Sequence, residues 1–360
     1  MPARRFFLIC PVNPANLVNL VQPVTTAVPN RVHWIRSNGF LLGLVAAVAL
    51  AFLWPGPGSK NGALHPELLT NGGVALIMFL QGLSLAFEKI KSGAGNWRLH
   101  LMIQSFTFVV FPLVGLFMNA LLPWVWPSVP EGIRSGFLYL CVLPSTVSTS
   151  VVLTAVAGGN TAGALFNAAF SNILGVMATP VLVNLLMQST GATQPFAPLL
   201  LKILALTLVP FAAGMLLRKA VQAWVDARKR WVNRISNAVI LLIVYTAFCE
   251  SVSAQIWQRY GLALTVQTLG LVAGLFLGMS LLIYGACRGV RLNREDSIAA
   301  YFCSVKKTLA MGVPLALLIF GDRGDLSLIL LPILFFHPLQ LFVNGILANH
   351  WARKKSPESD

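Results

Sequence analysis

Apolar runs of about 20 residues dominate the sequence, and short segments rich in proline, glycine and charge separate them. A run of this length spans the hydrocarbon layer of a bilayer, where only helices or closed barrels satisfy their backbone polar groups. The runs lack the polar alternation of barrel strands. Only 10% of the residues are charged, against roughly 25% in soluble proteins, so we predict an all-α polytopic membrane protein. Ten spans are predicted, at about 37–55, 71–88, 99–122, 133–157, 161–187, 197–217, 233–250, 262–287, 297–320 and 326–349.

The distribution of Lys and Arg predicts the orientation. If the N-terminus is cytoplasmic, nineteen of the 26 basic residues fall in inside segments, five outside and two within a span. This asymmetry obeys the positive-inside rule and favours an even number of spans. We predict cytoplasmic tails at 1–34 and 353–360 around a ten-helix transporter domain at 35–352. Because the basic residues lie in short loops, the net charge of +15 indicates a multi-pass plasma-membrane protein (the inner membrane in a bacterium), not a nucleic-acid binder.

Ten spans suggest two five-span repeats. In each half a cysteine precedes a polar cluster and then a glycine, at 141–158 and 303–321. An odd number of spans per half forces inverted topology, so we predict two inverted five-helix repeats at about 37–187 and 197–349. Transporters with inverted repeats bind their substrates near mid-membrane, between broken helices.

The predicted fourth span is interrupted by Pro144 and a cluster of hydroxyl residues. Proline removes a backbone donor, and Ser or Thr side chains can bond the freed carbonyls or turn their oxygens toward an ion. The alternative to a binding segment is a proline-kinked helix whose hydroxyls satisfy their own backbone. The five hydroxyl residues are Ser145, Thr146, Ser148, Thr149 and Ser150.

The predicted ninth span contains Lys306 and Lys307, flanked by Ser304 and Thr308. An ammonium near mid-membrane costs about 2.5–3.5 kcal/mol, so a functional lysine is the default interpretation. The alternatives are a cytoplasmic re-entrant segment, or lysines bound to backbone carbonyls. All eleven acidic residues lie in loops, tails or span ends, so unpaired lysine among hydroxyls predicts a small organic anion as the substrate.

Two glutamines and five cysteines complete the set of candidate residues. Gln81 and Gln104 are predicted to form hydrogen bonds between helices, and Gln104 could also face the substrate cavity. The cysteines show no metal or redox spacing, so we predict no cofactor. Four of the five lie in or near apolar runs, and we expect these to behave as small buried hydrophobic residues.

Three stretches carry a resemblance to the bile acid:sodium symporter family, and most closely to its sodium/bile acid cotransporter 7-like, or SBF-like, branch. They are 147–154 with Gly158-Gly159-Asn160, Phe302-Cys303-Ser304 with Lys307-Thr308-Leu309, and Gln104 before Phe111-Pro112. The resemblance implies panel and core domains, with spans four and nine broken where they cross at the membrane centre. The candidate substrate- or ion-binding residues are Gln104, Thr146, Ser148, Thr149, Ser150, Ser304, Lys306, Lys307 and Thr308.

Sodium coupling depends on residues at which this chain departs from the family. Sodium-coupled members have Ser and Asn where this chain has Thr149 and Ser150, whose hydroxyls could still coordinate sodium as a coupling ion. Their ninth-span Glu, Gln and Asn fall on Tyr301, Val305 and Lys306. Replacing a carboxylate and gaining an ammonium disfavours sodium, so sodium-independent or proton-coupled transport through a buried lysine is the alternative.

Two functions of other classes are also compatible with these residues. A desolvated lysine can activate a serine, so Ser304 with Lys307, or a fourth-span hydroxyl with Lys306, could form the dyad of an intramembrane hydrolase. Such a dyad requires the hydroxyl and the amine to lie within about 3.2 Å of each other. A membrane regulator that transports nothing is the other candidate. The ten-span repeat favours secondary transport, without enzymatic activity.

Overall fold

The computed structural model describes residues 31–59, 62–64, 66–84, 95–188, 196–253, 255–321 and 323–353, and these are helical with no strand. The all-helical prediction is therefore confirmed for this part of the chain. The helices are α1 (Arg31–Leu53), a 3-10 turn (Gly56–Gly58), α2 (Pro66–Ser84), α3 (Trp97–Ser105), α4 (Phe111–Val125), α5 (Glu131–Val142), α6 (Ser148–Val156), α7 (Thr161–Gln188), α8 (Phe196–Ala227), α9 (Lys229–Ser253), α10 (Ile256–Gly289), α11 (Arg294–Ser304), α12 (Leu309–Phe320) and α13 (Leu326–Arg353).

Within the described ranges, seven continuous or nearly continuous segments are long and apolar enough to cross a membrane. They are Trp97–Val125, Thr161–Leu186, Leu201–Ala227, Lys229–Ser253, Gly261–Gly289, Arg294–Phe320 and Leu326–Arg353. The apolar parts of α1 and α2, Gly39–Leu53 and Asn71–Ser84, are shorter. The observed helix ends differ from the predicted ends by up to about ten residues, because hydropathy does not detect polar turns that continue a helix beyond the apolar run.

The predicted tails lie mostly outside the described residues, which exclude 1–30 and 354–360. Helix α1 begins at Arg31, six residues before the predicted first span. From Gly43 onward the described helices form one compact unit, and residues 31–42 belong to a separate one. The site described below lies wholly within the larger unit.

Helices α2 and α8 pack closely through glycine. A Cβ added at Gly82 would collide with the backbone oxygen of Phe211, and one added at Gly214 would collide with that of Phe79. Small residues let helix backbones approach each other where lipid offers no hydrophobic driving force for association. Arg218 reinforces this contact, because its Nη1 donates to the carbonyl oxygen of Leu83 at 2.7 Å.

Burial identifies the segment at the centre of the unit. In Arg294–Phe320, 89% of the residues of the most apolar window are buried, against 28% for Gly261–Gly289. The first segment includes α11 and α12 and both lysines of the predicted ninth span. Other helices therefore surround it, whereas α10 directs most of its surface outward.

Candidate functional site: two broken helices that cross

The predicted fourth span is divided into α5 and α6 by the non-helical segment 143–147. Leu143 is extended, with φ −71° and ψ 148°, as expected for a residue that precedes proline. Side chains of α7 bond the backbone groups that lack helical partners at this break. Ser145 N–H donates to Ser171 Oγ at 3.2 Å, and Asn172 Nδ2 donates to Ser145 O at 2.8 Å. Thr179 Oγ1 donates to Val142 O at 3.0 Å.

The predicted ninth span is divided into α11 and α12 by residues 305–308. Here a side chain of α13 satisfies the backbone, since Lys307 N–H donates to Gln340 Oε1 at 2.9 Å and Gln340 Nε2 donates to Lys307 O at 2.8 Å. Both breaks therefore use a polar side chain from the helix that follows them. Buried backbone groups need such partners wherever the helix ladder stops.

The two breaks contact each other directly. Thr308 N–H donates to Pro144 O at 3.0 Å, and Ser150 Oγ donates to Phe302 O at 3.0 Å. The two polar clusters are therefore adjacent, as predicted, and each contains a non-helical segment, at 143–147 and 305–308, although Ser148, Thr149, Ser150 and Ser304 are helical. We call residues 141–150 and 302–308 the crossing.

The side-chain amine of Lys307 is fully hydrogen-bonded. Its Nζ donates to the carbonyl oxygens of Leu143 at 2.7 Å, Cys141 at 3.0 Å and Thr107 at 3.3 Å. An ammonium has three donors, so all of them are used. The Nζ also lies 4.0 Å from the centre of the Phe111 ring, within cation–π distance.

Irregular backbone makes these carbonyls available. Residues 106–110 form a π-helical turn, in which the N–H of Phe111 donates to the carbonyl oxygen of Phe106, five residues earlier. At the same spacing the donor to Thr107 O would be residue 112, which is a proline and has no N–H. Cys141 O loses its helical donor because Ser145 N–H bonds Ser171 instead. Pro112 and the redirected N–H of Ser145 thus leave vacant acceptors at Thr107 and Cys141, which Lys307 fills.

Lys306 has the opposite environment. It is fully buried, yet its Nζ has no hydrogen-bond partner among the described residues. Neither lysine takes part in any of the ion pairs found in the described part of the chain. A desolvated amine without a partner is costly, so Lys306 is a candidate binding residue.

The hydroxyls of the first break divide into bonded and unbonded groups. Thr146 Oγ1 lies 2.8 Å from Thr149 Oγ1 and 3.0 Å from Ser150 Oγ, so these three predicted site residues bond one another. Ser148 is exposed. Ser145 Oγ is buried without a partner in the described structure. The sequence analysis did not include Ser145 among the candidate binding residues.

In the second break, Ser304 Oγ is also buried and lacks a partner within the described ranges. Neither Ser304 nor either lysine therefore forms the hydroxyl–amine hydrogen bond of the alternative hydrolase dyad. Thr308 contributes its backbone N–H to the crossing rather than its hydroxyl. Tyr301, at the position of the family's carboxylate, donates its hydroxyl to Ser280 Oγ at 3.1 Å.

Gln104 lies beside the crossing in a small polar group. Its Nε2 donates to Asn167 Oδ1 at 3.2 Å and to Asn167 O at 3.3 Å. The predicted interhelical hydrogen bond is therefore formed, between α3 and α7. Asn167 Nδ2 lies 2.8 Å from His100 Nδ1. Asn167 and His100 are polar residues within apolar helices, a signal that the sequence analysis did not use.

Asp296 is a buried carboxylate on which three helix N-termini converge. Asn96, Asn160 and Asn293 each accept a backbone N–H near the start of a helix, and each donates Nδ2 to Asp296, at 2.6, 2.7 and 2.9 Å respectively. A negative charge at helix N-termini is favourable. Sequence analysis placed Asp296 at a span end but gave it no role, because its three amide partners come from three separate loops.

Together these features define a class: a multi-pass helical membrane protein with two discontinuous helices that cross at a buried, charged centre, as in secondary transporters. The chain matches the SBF-like CPA transporter family over residues 38–353, and it belongs to that family. The resemblance to the bile acid:sodium symporters is thereby confirmed. Because the family consists of transporters, the chain is not an enzyme.

Similar proteins occur in bacteria and vertebrates. A Pseudomonas aeruginosa protein of uncharacterized function is 39% identical over 319 residues, which cover 88% of this chain and 94% of that protein. The sodium/bile acid cotransporter 7 of Rattus norvegicus is 33% identical, covering 87% of this chain and 92% of its own. The protein of the same name in Danio rerio is 31% identical, covering 87% and 93%.

Proposed function

We propose that this chain is a secondary transporter that carries a small organic anion by alternating access. The observation that carries the proposal is the amine of Lys306, which is fully buried and unpartnered among the described residues at the crossing. Removing an ammonium from water costs several kcal/mol unless a counter-ion compensates it. A carboxylate, sulfonate or phosphate group on the substrate would provide that counter-ion.

Buried hydroxyl groups of the crossing also support an anionic substrate. Ser145 and Ser304 belong to the two breaks that meet at the crossing, and the hydroxyl of each is buried without a partner in the described structure. Hydroxyls can donate to an anion, as can the lysine. The buried carboxylate of Asp296 lies at the opposite end of α11 and accepts bonds from three asparagines, so it is not available to neutralise Lys306.

The matching construction of the two breaks supports ten spans in two inverted repeats. The seven long segments leave out α1, α2 and the interrupted α5–α6 pair, and adding these three gives ten crossings. In each half, a broken helix is followed by a helix whose side chain bonds the broken backbone, through Asn172 in one half and Gln340 in the other. An inverted repeat would place these pairs in equivalent positions.

The proposed orientation has the ten-helix domain at 35–352 in the plasma membrane and both tails in the cytoplasm. Contacts between helix ends support the way in which it divides the loops between two opposite sides. Loops predicted to be inside meet at Asp296, which bonds Asn96 and Asn160. Loops predicted to be outside meet where Arg323 pairs with Glu131 at 3.2 Å. Each group of contacts joins only loops of one predicted side.

Cysteine labelling in intact cells tests this orientation. The four described cysteines are buried, so Cys10→Ser provides a background in which a new exposed cysteine can be labelled selectively. We expect a membrane-impermeant maleimide to label Ser128→Cys from outside and Lys219→Cys only after the cells are opened. The reverse pattern would contradict the orientation without affecting the proposed site.

Uptake into proteoliposomes tests the proposed function. A mixture of metabolites is offered to the purified protein, once with a sodium gradient and once with choline, and accumulated compounds are identified by mass spectrometry. We expect enrichment of organic anions, and we expect Lys306→Met to abolish it. Lys202→Met is the matched control, because Lys202 is exposed and distant in sequence from both breaks. Enrichment of cations or neutral solutes only, or uptake that Lys306→Met leaves intact, would contradict the proposal.

A further inference from the structure

The acceptors around Lys307 form a cation site. Three backbone carbonyl oxygens lie 2.7–3.3 Å from its Nζ, and the face of Phe111 lies 4.0 Å away. Two of the carbonyls, from Cys141 and Leu143, lie at the C-terminal end of α5, where the helix dipole favours positive charge. Unwound carbonyls and half-helix C-termini are the groups with which transporters hold coupling cations.

The site is built by both halves of the chain. Its acceptors belong to residues 107, 141 and 143, whereas the ammonium is delivered from residue 307 in the other predicted repeat. The lysine backbone is itself held by two bonds to Gln340. The cation therefore connects the two broken helices, as a bound ion would.

We propose that Lys307 is a tethered cation: its ammonium permanently occupies an alkali-ion-like site, so that no exchangeable ion is needed there. A bound ion shifts a conformational equilibrium only if it binds the two conformations with different affinities. A covalently attached cation cannot leave its site, so it cannot couple transport to an ion gradient. This inference rests on the proposed transport function and assigns the two lysines separate roles. Lys306 meets the substrate, and Lys307 replaces a coupling ion.

The test removes the tether and offers free cations. Lys307→Ala should leave the carbonyl site vacant, and a small cation should then bind it and raise the melting temperature. The full-length protein is purified in detergent and its thermal unfolding is measured in chloride salts of choline, sodium, potassium and propylammonium. We expect wild type to melt at one temperature in all four salts. Lys307→Ala should melt several degrees lower in choline, and sodium, potassium or propylammonium should restore stability with a saturable concentration dependence.

Lys306→Ala is the matched control, because its amine has no carbonyl partners among the described residues, and we expect it to respond equally to all four salts. If Lys307→Ala unfolds during solubilisation in choline, solubilisation in one of the small cations should preserve it. Loss in every salt, no response of the folded variant to any small cation, or saturable stabilisation of wild type by sodium would each overturn the inference. This measurement requires no substrate, so its failure is distinguishable from failure of the proposed anion transport.

Discussion

Replacing Lys306 with methionine should stabilise the protein, or leave its stability unchanged, while abolishing transport. The Nζ of Lys306 is buried without a partner in the described structure. An unsatisfied neutral amine costs about 1–3 kcal/mol, and an ammonium costs several kcal/mol. Methionine is similar in shape but one heavy atom smaller, and a cavity of that size costs about 1 kcal/mol. The net change in the free energy of unfolding should therefore lie between zero and a gain of roughly 2 kcal/mol, or more if the amine is charged.

Lys307→Met is the internal comparison, because the two residues are adjacent in sequence and equally buried. It removes three hydrogen bonds from a charged donor, each worth about 1.5–3 kcal/mol but not additive, so a loss of at least ~3 kcal/mol is expected. For a chain of this size, that corresponds to a fall in melting temperature on the order of 5 °C.

Thermal unfolding in detergent, measured for both variants at one pH and one salt concentration, checks the stabilities, and proteoliposome uptake checks function. The reasoning is refuted if Lys306→Met melts as far below wild type as Lys307→Met does. It is also refuted if Lys306→Met transports at the wild-type rate, because an idle buried amine would then have no binding role.

Three further predictions concern the framework around the crossing. Asp296→Ala should lower the free energy of unfolding by about 3 kcal/mol, because three asparagine amides lose a charged acceptor. Glu295→Ala, at an exposed neighbour, should change it by less than about 1 kcal/mol, and equal melting temperatures for the two variants would contradict this prediction. Gly214→Ala should lower the melting temperature, because the added Cβ collides with the backbone of α2, whereas Gly274→Ala should not, because no atom lies near its added Cβ. Equal melting temperatures for the two variants would argue against close packing of α2 and α8. Gln340→Ala should lower the free energy of unfolding by roughly 2–4 kcal/mol and slow uptake, because it leaves the N–H and the carbonyl of Lys307 unpaired. A variant with wild-type stability would show that the break does not depend on this amide.

The broad class of the protein was predictable from sequence because hydropathy and charge are local, nearly additive properties. Apolar runs of membrane-spanning length predicted an all-helical membrane protein. Pro144 with its hydroxyl neighbours, and two lysines in an apolar run, likewise marked the two breaks, because each is costly in a continuous membrane helix.

The roles of individual residues depended on tertiary structure. Hydropathy and charge do not predict different partners for Lys306 and Lys307, yet Lys306 has no partner among the described residues and Lys307 has three, contributed by residues more than 160 positions away. Asp296 likewise looked like an ordinary residue at a span end until three loops brought their asparagines to it. The physical reason is that a broken helix leaves polar backbone groups that must be satisfied inside the membrane. The groups that satisfy them come from other helices, so only the folded chain decides which side chain is bonded and which is left without a partner.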